Sequence, residues 1–288
     1  MKVDAIRGQV VIITGASAGI GKALALQLAR QGAKVAIAAR RAERLEEVAA
    51  ECRALGAEAL VVPTDVSDEA QCKALVEKTV AAFGRLDMLI NNAGLAVSAL
   101  FDDFPDLNLF RYAVAVNFYG QVYCTYYALP YLKQTKGRIV AVSSLGGKAA
   151  IPYNTPYCAS KFALDGFYDS LRMELSQSGV SVTVTYPWWV VTEFHTAQLN
   201  KDGVPRGEQR GQDMYSSRMM SADRCAEITL QAAYKRRREL LMGPGALAVW
   251  LKALAPRFLD WLVYKVFLEP AIRRARSAQT KDYVSRIG

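Results

Sequence analysis

The chain has 288 residues, 52% of them hydrophobic, with 36 Lys and Arg, 27 Asp and Glu, and one histidine. That length and apolar content fit one large domain with a sizeable core better than two small ones. The five cysteines, Cys52, Cys72, Cys124, Cys158 and Cys225, lie far apart with no C-x-x-C pair, which argues against a disulfide framework or a zinc site and for reduced, structural thiols.

From the N-terminus, "MKVDAIRGQVVIITG" runs straight into a first strand without the basic start, apolar run and cleavage site of a secretory signal, so a cytoplasmic location is expected. Short apolar runs then alternate with longer amphipathic ones. "QVVIITG" precedes a helix from about Gly19 to Arg30, "KVAIAAR" precedes "RAERLEEVAAECRALG", and "EALVVPTD" precedes "SDEAQCKALVEKTVAAFG". The pattern continues through "LDMLINNAG", the helical stretch "YAVAVNFYGQVYCTYYALPYLKQ", "GRIVAVSS", a helix holding "YCASK", and "VSVTVTYP". Strands alternating with helices of this length predict βαβ units in an α/β, doubly wound fold: about seven mostly parallel strands with helices on both faces. Such a sheet binds its ligand at the carboxyl ends of the strands. Residues 1–245 are expected to form this domain, with a lid or substrate loop over about 193–221, and residues 246–288 a C-terminal helical extension.

Two stretches carry chemistry. "TGASAGIG", Thr14 to Gly21, lies between the first strand and the first helix. Its glycines let the chain turn sharply and bring backbone N–H groups and a helix N-terminus to a pyrophosphate, although a tight turn chosen for packing reads the same way. "YCASK" puts Tyr157 and Lys161 four positions apart, on one helix face. A free tyrosine titrates near ~10, and a neighbouring ammonium that favours the phenolate brings it nearer to working range.

Together, "TGASAGIG", "NNAG" at 91 to 94, Asn117 in "AVNFYG", Ser144 in "VSSLGG" and "YCASK" resemble the short-chain dehydrogenase/reductase family over about residues 8 to 195. The resemblance implies a Rossmann-type fold with Tyr157 as general acid and base, Lys161 tuning it and holding the nicotinamide ribose, Ser144 steadying the substrate oxygen, and Asn117 holding a relay water. It implies dinucleotide contacts from Gly15, Ser17, Ala18, Gly19, Ile20 and Gly21 in the turn, and from Asp65 and Val66. It further implies contacts from Asn92, Ala93 and Gly94, from Tyr157 and Lys161, and from Pro187, Val190 and Thr192. Within the family, "YCASKFALDGF" and the C-terminal extension are most similar to reductases of lipid-like ketones, such as hydroxysteroid dehydrogenases and ketosphinganine reductases.

Cofactor choice turns on the end of the second strand, where an acidic residue would accept the ribose hydroxyls of NAD. Here Ala39 is followed by Arg40 and Arg41, with no carboxylate opposing a 2′-phosphate, so NADPH is expected over NADH. Arg41 also reads as a helix-start residue pointing to water, and Asn91 and Asn92 as structural groups satisfying backbone between strands.

The family's Pro-Gly after the sixth strand reads "YPWWVVTEF" here, with Trp188 at the glycine position. Trp188 and Trp189, with Leu145 and Tyr153, are expected to wall an apolar substrate pocket; an engineered substitution and plain core packing stay open for Trp188. His195 is expected to be structural or at the surface, and a catalytic metal lacks ligands.

Residues 201–288 hold 17 of the 36 basic residues but 9 of the 27 acidic ones, concentrated in "KRRRE" (235 to 239) and "IRRAR" (272 to 276). These flank an apolar, aromatic segment. Charges inside that segment argue against a spanning helix. After Pro256, positions 258, 259, 262, 263, 266 and 267 are expected to form one apolar face, with Arg257, Asp260 and Tyr264 opposite. Packing within the protein or a homo-oligomer and peripheral membrane contact are both open for that face; nucleic acid is not expected. The expected function is an NADPH-dependent carbonyl reductase, or alcohol dehydrogenase in reverse, for a lipophilic ketone or secondary alcohol in a homodimer or homotetramer. A 3-oxoacyl thioester reductase of fatty-acid metabolism and a non-catalytic NADP(H)-binding sensor or scaffold are the alternatives.

Overall fold

The computed structural model describes residues 6–207, 219–243 and 245–270. Strand β1 (Val10–Thr14) leads to helix α1 (Gly19–Arg30), β2 (Lys34–Ala39) to α2 (Ala42–Ala54), and β3 (Ala59–Pro63) to α3 (Glu69–Phe83). Then come β4 (Met88–Asn91), α4 (Asn108–Val114), α5 (Gly120–Thr135), β5 (Arg138–Val142), α6 (Thr155–Glu174) and β6 (Ser181–Tyr186). The chain continues with β7 (Val190–Val191), β8 (Met220–Ser221), α7 (Ala222–Tyr234), β9 (Glu239–Leu241), α8 (Ala246–Leu254) and α9 (Pro256–Val263).

Seven strands form one sheet in the order β3-β2-β1-β4-β5-β6-β9, and every ladder is parallel, as the alternation of runs predicts. The reason lies in the strand sequences. All five residues of "VVIIT" are buried, which suits a parallel strand covered on both faces. Val10 and Ile12 pack into one core with Leu75, Leu132 and Leu164 of α3, α5 and α6, while Val11 and Ile13 pack into the other with Leu24, Leu45 and Leu230 of α1, α2 and α7. Strand order reverses between β1 and β4, and the crevice at their carboxyl ends is where a doubly wound sheet takes its ligand.

Local signals set the helix ends. Asp68 caps α3 by accepting from the N–H groups of Ala70 and Gln71, and Gly84 ends it in the left-handed region at φ 77°. Helix α1 differs: Ala18 precedes it with no side-chain cap, so its first N–H groups are left for another acceptor.

The stripe expected on the C-terminal helices is unevenly covered. Leu259 is buried, but Phe258 and Val266 are exposed, as is Trp261, whose ring stacks on Phe258 at 5.8 Å. The domain therefore covers only part of that stripe; the side chain of Phe267 lies outside the described residues. Lys252 ties α8 to the domain, with Nζ donating to the Lys148 carbonyl (3.0 Å) and lying 4.0 Å from the Phe162 ring centre. The first basic cluster is partly structural too. Arg236 donates to the carbonyls of Gly179 and Lys136, and Arg238 pairs with Asp169. The second cluster, 272 to 276, and positions 208–218 of the expected substrate loop lie outside the described residues. Among the described residues no helix is long and apolar enough to cross a membrane, and no group of three His, Cys, Asp or Glu side chains is placed to hold a metal ion. The five cysteines are buried.

Candidate active site

The glycine-rich turn sits in the β1–β4 crevice. Gly15 and Gly19 adopt φ 66° and 53°, and a Cβ on Gly21 would lie 2.2 Å from the Gly15 carbonyl oxygen. Only glycine allows that backbone path. Asn92 braces it: its amide donates to the carbonyls of Thr14 (2.9 Å) and Gly15 (3.2 Å), while Thr14 Oγ1 accepts from the N–H groups of Asn92 and Ala93. The turn passes so close to Ala93 that a Cβ on Gly15 would meet its Cα at 2.8 Å. Asn92 thus serves the turn's own backbone, and Asn91 donates in the core to Thr125 and Tyr168. A turn that lacks a Cβ at Gly15, Gly19 and Gly21 and ends on the uncapped start of α1, with Ser17, Ala18 and Ile20 between, fits the pyrophosphate of a dinucleotide.

At the adenosine end, Asp65 closes a local turn by accepting from Ser67 N and Oγ, and Val66 is packed beneath Gly120. Arg40 donates to the Tyr112 hydroxyl. Arg41 stands at the start of α2 with its side chain 53% exposed, and from there it donates to Ser17 Oγ at 3.3 Å. One expectation is overturned here, because a carboxylate does oppose this cluster. Glu193, from beyond β6, lies 2.7 Å from Arg44 and 3.9 Å from Arg41. Sequence reading missed Glu193 and Arg44, since 149 positions separate them.

The reactive groups gather at the ends of β5 and α6. Ser144 follows β5 in extended backbone, and its Oγ accepts from Gly146 N (3.0 Å). Tyr157 sits in the first turn of α6, after Pro156, and Lys161 one turn on, as the spacing predicts. Lys161 is 3% exposed, its Nζ donating to the Val142 carbonyl (3.0 Å) and lying 5.7 Å from the Tyr157 ring centre. Burial pulls the ammonium down to about 8 and pushes the Tyr157 phenol up to about 12, against a hydrogen bond with Ser144 that lowers it. The expected lysine-driven lowering is therefore not what the protein groups alone produce, because the ammonium is aimed at Val142 and desolvation dominates at the phenol.

Asn117 lies on a π-helical turn, Ala115–Tyr119, between α4 and α5. It is fully buried, accepts from Leu95 N (2.8 Å), and gives both amide hydrogens, to Leu95 O and Ser160 Oγ (each 2.9 Å). This side chain clamps the strand end to the Tyr-Lys helix and holds Gly94 in place, where a Cβ would be 3.7 Å from Lys161 Nζ.

Past Pro187, whose carbonyl accepts from Leu145 N, the segment after β6 closes the site. Val190 is buried, and the Thr192 methyl lies where a Cβ on Gly19 would meet it at 3.0 Å. Phe194, another residue the sequence did not single out, tilts against Tyr157 with ring centres 5.9 Å apart. His195 is structural: it donates from Nε2 to the Val190 carbonyl, stacks on Trp189 at 5.3 Å, and is held below the usual histidine range by burial. Trp188 is half-buried and packs against the segment after β9. Its indole lies on Gly243 and Gly245, with Leu145 alongside, so the bulk added at position 188 meets glycines contributed by the segment after β9. Tyr153, at φ 66°, is half-buried near this rim, its carbonyl accepting from Ala99 N.

The comparisons agree with this geometry. Residues 9–203 match the family model described as short chain dehydrogenase. An Arabidopsis thaliana protein named 11-beta-hydroxysteroid dehydrogenase-like 4A is 39% identical over 89% of this chain and 84% of its own. A short chain dehydrogenase/reductase from Burkholderia phymatum in complex with NAD superposes with a TM-score of 0.79 at 27% identity, covering 88% of this chain and 95% of that one. An alcohol dehydrogenase from Thermococcus sibiricus complexed with 5-hydroxy-NADP gives 0.70 at 27% identity, covering 82% and 96%. With its glycine cradle, its Ser144, Tyr157 and Lys161 at one strand end, and these relatives, the chain belongs to the short-chain dehydrogenase/reductase family of oxidoreductases and resembles its hydroxysteroid dehydrogenases.

Proposed function

We propose that the protein is an NADPH-dependent carbonyl reductase, working in reverse as an alcohol dehydrogenase, on a lipophilic ketone or secondary alcohol. The observation that carries this reading is the meeting of Ser144, Tyr157 and Lys161 at the end of β5, with the Phe194 ring against Tyr157. A bound nicotinamide supplies the hydride to the carbonyl carbon. The chain's own residues handle the oxygen: Ser144 donates a hydrogen bond to it, and Tyr157 gives it the proton that completes the alcohol. A phenol held protonated by burial is ready for that donation, and the Lys161 ammonium stabilises the phenolate left behind. Arg40 and Arg41 at the end of β2 support NADPH, and Phe194, Leu145 and the relatives' hydroxysteroid names support an apolar substrate.

The test is binding of NADPH and NADH, then turnover on ketones from small cyclic to steroid-sized and long-chain. Turnover that rises with apolarity and falls at least ~100-fold in Tyr157→Phe, with cofactor binding kept, is expected. Turnover confined to a carrier-bound 3-oxoacyl thioester, or binding without turnover, overturns the reading in favour of a thioester reductase or a sensor.

The family is typically oligomeric, and a homodimer or homotetramer is supported here by exposed Tyr119 on the π-helical turn, Tyr126 on α5 and Met173 on α6. A sedimentation profile of a monomer at micromolar concentration overturns it. Peripheral attachment to an anionic membrane is favoured by exposed Trp250, Leu254, Phe258 and Trp261 beside exposed Arg257 and Lys265. Failure to co-sediment with phosphatidylserine vesicles at low salt rejects it.

A further inference from the structure

Three consecutive residues after β7 reach three parts of the site: Thr192 lies on Gly19 of the glycine turn, Glu193 on the arginines of α2 and its entry, and Phe194 on Tyr157. The Glu193 contact has no counterpart in the chemistry described above. Both carboxylate oxygens accept from Arg44 Nη1 at 2.7 Å, and Oε2 lies 3.9 Å from Arg41 Nη2. Arg41 in turn donates to Ser17 of the glycine turn at 3.3 Å, so the carboxylate sits at the border of the cradle and the arginine cluster.

We propose that Glu193 is a cofactor-specificity residue: its carboxylate is the resident counter-ion of Arg41 and Arg44, which a 2′-phosphate on the adenosine ribose must displace. The inference rests on the NADP(H) reading above. A phosphate dianion and a carboxylate compete for the same guanidinium groups, and held together they repel. A ribose with a free 2′-hydroxyl carries no such charge and leaves the pair intact. The side chains of Arg44 and Glu193 are 42% and 53% exposed, so the competition is screened by water and modest in size.

The experiment is calorimetric titration of the wild-type protein and of Glu193→Gln with NADP+, NAD+ and 2′,5′-ADP, thermal denaturation serving to show that the variant is folded. Glu193→Gln is expected to bind NADP+ and 2′,5′-ADP about two- to fivefold more tightly, with NAD+ unchanged. Equal changes for NADP+ and NAD+, no change in any, or weaker NADP+ binding overturns the inference. Wild-type protein that prefers NAD+ overturns the NADPH reading alone, because the ratio between variant and wild type still reports on Glu193.

Discussion

The indole of Trp188 lies so close to Gly245 that a Cβ there would fall 2.2 Å from its Cε3. Gly245 has an ordinary helical φ of −63°, so the requirement for glycine comes from the neighbour and not from the backbone. Gly245→Ala is expected to destabilise the protein by about 1–3 kcal/mol through overpacking. Trp188→Gly in the same chain removes the clash and restores part of the loss. Chemical denaturation of the two single variants and the double variant measures the coupling; strictly additive effects reject the contact.

Lys161 makes stability depend on pH in a direction opposite to most lysines. Burial lowers its folded-state pKa from 10.5 to about 8, so between those values the unfolded chain binds more protons and stability rises with pH. Below about 8 the full cost of the buried ammonium is present, on the order of 3 kcal/mol. Lys161→Met is therefore expected to be more stable than wild type at pH 7, with the gap closing as pH rises from 8 towards 10.5. Urea denaturation across that range checks it, and a gap that ignores pH rejects burial as the cause.

Asn117 satisfies Leu95 N and Leu95 O and reaches Ser160 Oγ from a fully buried position. Asn117→Ala leaves those groups without their partner, at an expected cost of about 2–4 kcal/mol. Because the clamp also positions the helix that holds Tyr157, any residual turnover should fall with little change in the pH profile. Stability loss below ~0.5 kcal/mol would mean that the clamp carries no strain-bearing hydrogen bonds.

How legible the site was depended on the range of each contact. "TGASAGIG" could be placed between a strand and a helix because its glycines answer to local backbone needs, at Gly15 and Gly19. Tyr157 and Lys161 could be paired because helical spacing alone puts i and i+4 on one face. For Asn92 the sequence leaves a cofactor contact and a structural role both open, and the structural one shows in its amide bonds to Thr14 and Gly15, partners 78 and 77 positions away. How much of the apolar face after Pro256 the domain covers was hidden for a related reason: periodicity reports which residues share a side of a helix, not what packs on it.

The amino-acid sequence by itself determined the order of strands and helices, the parallel sheet, the glycine turn and the Tyr-Lys pair, since hydrophobic period, turn chemistry and helix spacing are properties of neighbouring residues; Ser144 joined that pair through the family resemblance. Only the tertiary structure decided that Glu193 meets Arg44, that Trp188 rests on Gly245, and that burial moves Tyr157 up and Lys161 down. Those outcomes depend on which distant groups share a space and how much water they exclude, and neither quantity is written in local spacing.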